Sequence, residues 1–453
     1  MREGGRLVVV GGVAAGMSAA SRARRLRPDI EIVAVEKGDD VSYGACSLPY
    51  FIADVVPERD ALIAHDAAFF RRERRIDVRL RTEAMALDPR KRTVTLRASE
   101  GEQALAFDAL VIATGARAVR VPLPGADLDG VFTLRTLEDG EALKRRVSQG
   151  ARRATIVGGG YIGLEMAEAL AARGLAVSVV ELLPSLLSTY DADMSELVER
   201  KLLDKGVEVR KGTKVEGFEP GADGRSVGCV LAGGQRLPAD LVLVAVGIRP
   251  ASELARAAGI ETGPSGAIKV DARQVTSEPA VLAAGDCCEA MHVVTRRPAW
   301  IPLGTTANKQ GRIAGENAVG GNRAFGGIAG TNATKVFDLE VAGTGLSSEA
   351  ARREGLDADS VRIAAPSRSP AYPGASPIAV KLVFERGSGR LLGGQMVGRE
   401  GVAKRIDTIA AALHAGMTVS QLADVDMSYA PPFSPVWDPV LVAASEAQKK
   451  TGR

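Results

Sequence analysis

Sulfur and histidine are scarce in this chain of 453 residues, and each scarcity narrows the chemistry open to it. The four cysteines, Cys46, Cys229, Cys287 and Cys288, lack the regular spacing of a disulfide framework, which fits a reducing compartment. Cys46 has no second cysteine near it, so a close dithiol pair is excluded there. There are only three histidines, His65, His292 and His414, and no metal site is expected. Fifty-eight Lys and Arg against 55 Asp and Glu leave a net charge of +3, too small to suggest general nucleic-acid binding. No apolar run is long enough to span a bilayer, so no membrane partner is expected. The opening "MREGGRLVVVGGVAAGMSAA" is broken by glycines and followed by "SRARRLRPD", which reads as strand, turn and helix rather than as a signal peptide. The expected location is the cytoplasm.

What the chain has in quantity is glycine, 51 residues of it, and the glycines are patterned. "RLVVVGGVAAGMSAASRARRL" is an apolar strand, a glycine turn and an Ala-rich helix, and the next strand, "EIVAVEK", ends in Glu36. This is the grammar of a dinucleotide-binding βαβ unit, in which a helix N-terminus faces a pyrophosphate and an acid takes a ribose hydroxyl. Gly11 and Gly16 stand at the first and last positions of the pattern, and Val13 replaces the middle glycine. The grammar returns at "ATIVGGGYIGLEMAEALAARGLAVSVVELLP", complete with Gly158, Gly160 and Gly163, and Glu181 ends its second strand. Two such units are hard to explain as packing alone. "DALVIATGARAVRVPLPG" reads as a buried strand leaving one nucleotide domain at Thr114 and Gly115, and "ADLVLVAVGIRPA" as the strand leading back. "EPAVLAAGDCCEA" puts Asp286 beyond a short strand, either against a flavin's ribityl or phosphate groups or as a helix cap.

With these segments in place, the chain resembles the flavin-dependent pyridine nucleotide–disulfide oxidoreductases over essentially its whole length. The motifs that carry the resemblance are "GGVAAG", "ATGA", "GGGYIGLE", "AVGIRP" and "AAGDC". Within that family, "SYGACSLPY", "KVFDLEVAGTGLS" and "YAPPFSPVWDP" look like the coenzyme A–disulfide reductases and the NADH-dependent persulfide or polysulfide reductases. The resemblance implies an α/β chain with two Rossmann-like dinucleotide-binding domains and a C-terminal α+β dimerisation domain. The expected boundaries are 1–118 and 246–323 for a discontinuous FAD domain, 119–245 for an NAD(P)H domain and 324–453 for dimerisation. The cofactor contacts it implies are Gly11, Val13, Ala14, Gly16, Glu36, Lys37, Thr114, Gly115, Gly158, Gly160, Tyr161, Ile162, Gly163, Glu181, Gly247, Gly285, Asp286, Thr305 and Ala307. NADH is preferred over NADPH, because a carboxylate at Glu181 repels a 2′-phosphate and "VELLPS" offers no arginine.

The implied chemistry passes electrons from nicotinamide through flavin to a sulfur–sulfur bond. Since Cys46 has no partner cysteine, the second sulfur must come from the substrate. "SLPYFIADVV" reads as a helix that would put the Cys46 thiol at its N-terminus, where thiolate is favoured. Cys229, Cys287 and Cys288 read as packing residues. For coenzyme A, as substrate or bound thiol, the resemblance carries over Arg22, Arg25, Ser42, Arg74 and Asn308, and arginine forks suit its phosphates. Ala45 and Trp437 depart from the family, where asparagine and lysine are common. Tyr372 in "AYPG" and Tyr429 in "SYAPPF" correspond to residues that reach the partner subunit's site in a homodimer, where a phenol can protonate a leaving thiolate. Two alternatives stay open: an NADH oxidase or peroxidase using a Cys46 sulfenate, and an electron-transfer module for a protein partner. Oxygen- and peroxide-reducing relatives carry histidine in the first glycine turn where this chain has Ala14, and the C-terminal His–Glu pair of glutathione-type reductases has no counterpart.

Overall fold

The structure, a computed structural model, describes residues 3–451. The chain folds as two compact units, Met1–Ala118 with Ile248–His292 and Arg297–Ile328, and Val119–Gly247 with Val293–Arg296 and Ala329–Arg453.

The first unit is built on a five-stranded parallel sheet in the order Val281–Ala283, Ala109–Ile112, Arg6–Val10, Glu31–Val35, Asp77–Arg79. Its central strand, "RLVVV", is apolar at successive positions because it is covered on both faces. Leu7 and Val9 pack toward the helices Ala14–Leu26 and Gly304–Ala318, and Val8 and Val10 pack on the other side with Val94, Leu96 and Leu105 of a three-stranded antiparallel sheet. The two helices cross closely because glycines remove side chains at the crossing. A Cβ at Gly311 would lie 2.2 Å from the Ala15 carbonyl oxygen, and one at Gly315 would lie 2.1 Å from that of Ala19.

The second unit holds another five-stranded parallel sheet, ordered Glu208–Arg210, Ala176–Val180, Arg153–Val157, Leu241–Val244, Val131–Phe132. It also holds a five-stranded antiparallel sheet, Asn332–Val336, Leu339–Gly345, Leu391–Gly398, Pro377–Glu385 and Ala358–Pro366 in spatial order. The helices Val402–Ala415 and Pro439–Lys450 pack with this second sheet. A buried polar network ties the two sheets into one unit. Asp191 accepts from the Ser348 hydroxyl (2.8 Å) and the Gln395 amide (3.0 Å), and Lys381 reaches both Asp191 (3.1 Å) and Asp193 (2.8 Å). Burial pushes the Asp191 carboxyl up, but the Ser348 and Lys381 contacts outweigh it and hold the group below the ordinary carboxylate range. No helix among the described residues is long and apolar enough to cross a membrane.

Candidate active site

The two glycine turns are built alike. Gly11 sits at φ +107°, and a Cβ there would be 2.1 Å from the Ala113 carbonyl oxygen, while one at Gly16 would be 1.7 Å from that of Gly11. Gly158 repeats this at φ +109°, 2.5 Å from the Ala245 oxygen, and Gly163 at 2.1 Å from that of Gly158. Only glycine fits these close approaches. Nothing lies within 4 Å of a Cβ built on Gly160, so the middle of the second turn is open, whereas Val13 occupies that place in the first, at the N-cap position and without a side-chain hydrogen bond to the helix. Neither following helix has an acid in its first turn, which leaves the positive end of each dipole uncompensated for a pyrophosphate.

The two acids hold their own turns. Glu36 accepts from the backbone N–H groups of Gly12 (2.7 Å) and Gly38 (2.9 Å), and Glu181 from those of Gly159 (2.6 Å) and Leu183 (2.8 Å). A carboxylate has about four lone-pair sites, so each keeps acceptor capacity for ribose hydroxyls. Lys37 follows Glu36 and is exposed. Thr114 donates to the Ala251 carbonyl (2.5 Å), and the Ala251 N–H donates to that of Gly115 (2.9 Å), joining the outgoing and returning strands. Gly285, at φ +85°, donates to the buried Gln310 side chain (3.0 Å), and Asp286 follows it half-buried in a turn. Asp286 therefore does not cap a helix. Thr305 and Ala307 lie in the first turn of the Gly304–Ala318 helix, and Gly247 stands at φ +111° with open space around it. Tyr161 and Ile162 begin the second turn's helix. The Tyr161 hydroxyl donates to Asn332 (2.8 Å), Tyr190 donates to the same oxygen (2.9 Å), and burial raises the Tyr161 phenol.

All five expected coenzyme A contacts line one cleft of about 270 Å³ in the first unit. Arg22, Arg25 and Ser42 are joined there by Arg74, Asn308 and a fourth arginine, Arg312, and no carboxylate is among the lining residues. The sequence reading missed the cleft's aromatic wall. His65 stacks on Phe69 at 4.0 Å between ring centroids, and the Arg74 guanidinium lies 5.8 Å from the Phe69 centroid. The signal present was the doublet "FF" ahead of the arginine run. Arg22 is less available than its sequence suggests, since both its Nε and Nη2 donate to Glu316, at 3.0 and 2.6 Å. Ser42 holds a left-handed backbone at φ +53°, fixed by its N–H to the Gly12 carbonyl (2.9 Å) and its own carbonyl to the Ala64 N–H (2.9 Å). The loop that carries Cys46 is thereby anchored to the first glycine turn.

Cys46 is exposed, in the 3₁₀ turn Ala45–Ser47. The helix expected behind it is short, Leu48–Ile52, because the chain turns at Asp54 (φ +60°) and the N–H groups of Val55 and Val56 fold back to the Tyr50 carbonyl. Cys46 thus stands at the N-terminal end of a helix of five residues, shorter than "SLPYFIADVV" suggests. Cys229, Cys287 and Cys288 are buried, as packing residues should be. In the second unit Tyr372 and Tyr429 are exposed by 40% and 49%, on two loops beside the exposed Phe433 and Trp437. His414 is exposed near the end of the Val402–Ala415 helix. No group of three or more metal-ligating side chains occurs among the described residues.

The model of the family described as pyridine nucleotide-disulphide oxidoreductase matches residues 5–311, and that of its dimerisation domain matches residues 331–439. A solved NAD-dependent persulfide reductase from A. fulgidus is 42% identical, with a TM-score of 0.96 over 99% of this chain and 84% of that one. An NAD(P)H coenzyme A polysulfide/persulfide reductase of Pyrococcus horikoshii is 38% identical over 444 residues, 97% of each chain. An NADH oxidase of Methanocaldococcus jannaschii is 36% identical over 448 residues, 98% of this chain and 99% of its own.

Proposed function

Because the chain belongs to the pyridine nucleotide-disulphide oxidoreductase family, we propose that it is a homodimeric FAD enzyme that uses NADH, or NADPH less well, to reduce coenzyme A disulfide, persulfide or polysulfide. The observation that carries this reading is the cleft: four arginines and no lining carboxylate, with an aromatic stack, in the unit that bears the single exposed thiol. A coenzyme A moiety offers three phosphates and a purine, and guanidinium forks and ring faces suit both. The first glycine turn, with Glu36, Lys37, Thr114, Asp286 and the Thr305–Ala307 turn, would hold FAD. The second, with Tyr161, Ile162, Glu181 and Gly247, would hold the nicotinamide nucleotide. On this reading residues 1–118 and 246–323 form the FAD domain, 119–245 the NAD(P)H domain and 324–453 the dimerisation domain, in a cytoplasmic enzyme.

When bound, FAD supplies two-electron transfer from a nicotinamide to a sulfur–sulfur bond. The Cys46 thiolate attacks the near sulfur of a coenzyme A disulfide, forming a mixed disulfide and releasing one coenzyme A thiolate, which a tyrosine protonates. Two electrons then cleave the mixed disulfide, restoring the Cys46 thiolate and releasing the second thiolate. NADH and one proton are consumed for two thiols formed. The Arg25, Arg74 and Arg312 side chains hold the nucleotide half, and Ser42 fixes the loop between cleft and thiol. The test is mass spectrometry of protein purified without reductant, together with thiol release on addition of NADH. A coenzyme A adduct on Cys46 that leaves on reduction supports the reading, and NADH turnover by oxygen alone, indifferent to every sulfur acceptor, sinks it. The relative named NADH oxidase favours oxygen reduction by a Cys46 sulfenate as the second reading. Against it, Ala14 puts no proton donor in the first helical turn.

A further inference from the structure

Tyr372 and Tyr429 lie on irregular, largely exposed segments of the second unit, where a fixed phenol position needs a cause. The Tyr372 ring has a local support in Arg368, whose guanidinium lies 5.7 Å from its centroid and pairs with Glu400, but the residue that joins the two segments to each other is a second, more buried arginine. Arg405, four residues into the Val402–Ala415 helix, has a side chain only 13% exposed. Its Nη2 donates to the carbonyl of Ser367 (2.9 Å), at the root of the Tyr372 loop, and to that of Phe433 (2.9 Å), in the Tyr429 loop. Its Nε donates to Asp438 (2.7 Å), which also accepts from the Ser434 hydroxyl (3.0 Å) and caps the last helix through the Val440 N–H (2.9 Å). The loops also touch directly, since the Ser369 N–H donates to the Pro431 carbonyl (3.2 Å). Each of these residues belongs to the turn that presents a tyrosine: the Tyr372 N–H closes on the Ser369 carbonyl (2.9 Å), and the Phe433 N–H on that of Ala430 (2.9 Å), next to Tyr429. Gly401 leaves the room this requires, as a Cβ there would lie 2.2 Å from Arg405 Nη1.

We propose that Arg405 is a positioning residue for the sulfur chemistry: its guanidinium locks the two tyrosine-bearing loops into one tip with a fixed spacing between the phenols. This rests on the reading that Tyr372 and Tyr429 serve the thiol site. A planar fork can hold two carbonyls and a carboxylate at once, and an ammonium cannot hold all three in the same geometry. Arg405 touches neither phenol and acts only through the loops.

The test uses the holoenzyme with Arg405→Met and Arg405→Lys. Amide hydrogen exchange should quicken about tenfold to hundredfold in both 367–376 and 427–438 in the Met variant, and less in the Lys variant. Coenzyme A disulfide reduction should fall by about tenfold or more in kcat/KM, while NADH–ferricyanide turnover and FAD content stay as in the wild type. Arg405→Met combined with Tyr429→Phe should cost less than the two single losses multiplied, since one change acts through the other. Unchanged exchange in either loop overturns the proposal. So does quickened exchange with undiminished sulfur reduction while Tyr429→Phe is impaired. If Tyr372→Phe and Tyr429→Phe are themselves fully active, the tyrosine reading has failed, and the role of Arg405 in the reaction goes with it.

Discussion

At the scale of single residues, Cys46 and the cleft arginines make separable predictions. Cys46→Ser should still bind FAD and still oxidise NADH with ferricyanide, because the glycine turns, Glu36 and Asp286 are untouched. Sulfur reduction should fall by orders of magnitude, since a hydroxyl cannot form the sulfur–sulfur bond with the substrate; near wild-type turnover with every sulfur acceptor would make the thiol structural. Within the cleft the structure ranks the cations. Arg74 lies over the aromatic wall, whereas Arg22 is held by Glu316. Arg74→Ala should raise KM for coenzyme A disulfide about tenfold with little change in kcat, and Arg22→Ala should do less. Equal KM effects in steady-state assays would refute that ranking. Glu181 predicts the nucleotide preference: NADH should exceed NADPH in kcat/KM, and a preference for NADPH would contradict it. Much of this was legible beforehand because Gly11, Gly16, Gly158 and Gly163 are demanded by backbone contacts that no other residue tolerates. The ion pair between Arg22 and Glu316 was not, since it links positions 294 apart that share no local pattern.

At the scale of elements, the same contrast has a physical source. Strand–turn–helix units are fixed by local rules, so both parallel sheets and their acids could be read directly. The helix after Cys46 was overread because "SLPYFIADVV" has apolar periodicity through Val56, while the chain turns at Asp54. The His65–Phe69 stack escaped although Arg74 of the same helix was expected at the cleft, because no local pattern says which other side chains of that helix turn toward it. Two predictions belong here. Gly311→Ala would push a methyl against the Ala15 carbonyl in the first turn of the nucleotide-binding helix, so it should destabilise by about 1–3 kcal/mol and lower FAD content. Gly326→Ala meets nothing within 4 Å and serves as the control; equal FAD content and Tm in the two variants would discredit the crossing argument. The second concerns Asp191. Its folded pKa is depressed, so its contribution is fully present above the unfolded value of about 3.9 and disappears as pH falls through the folded value. Asp191→Asn should cost about 1–3 kcal/mol at neutral pH, and its Tm deficit should shrink below about pH 4. A deficit constant down to acid pH would show that the charge is not what ties the two sheets.

At the scale of the whole molecule, the exposed side chains of the second unit make sense only in the dimer. Phe433 is 77% exposed and Trp437 65%, beside Tyr429 on one loop, within and around the region matched by the dimerisation-domain model. Exposed aromatic side chains gathered on one loop of a dimerisation domain fit an association surface. If the Tyr429 loop of one subunit completes the thiol site of the other, each site draws Cys46 from one chain and Tyr429 from its partner. Cys46→Ser and Tyr429→Phe homodimers would then each carry two defective sites. Exchange of subunits between them builds a heterodimer in which the Tyr429→Phe chain supplies the thiol and the Cys46→Ser chain supplies the phenol, leaving one site intact and the other doubly defective. Activity should therefore rise on mixing, at the rate at which subunits exchange, and mixing either variant with itself should give no rise. Two other outcomes would break the argument. If each chain completed its own site, mixing would yield only the average of the two parents; a fully active monomer in light scattering would remove the shared site altogether.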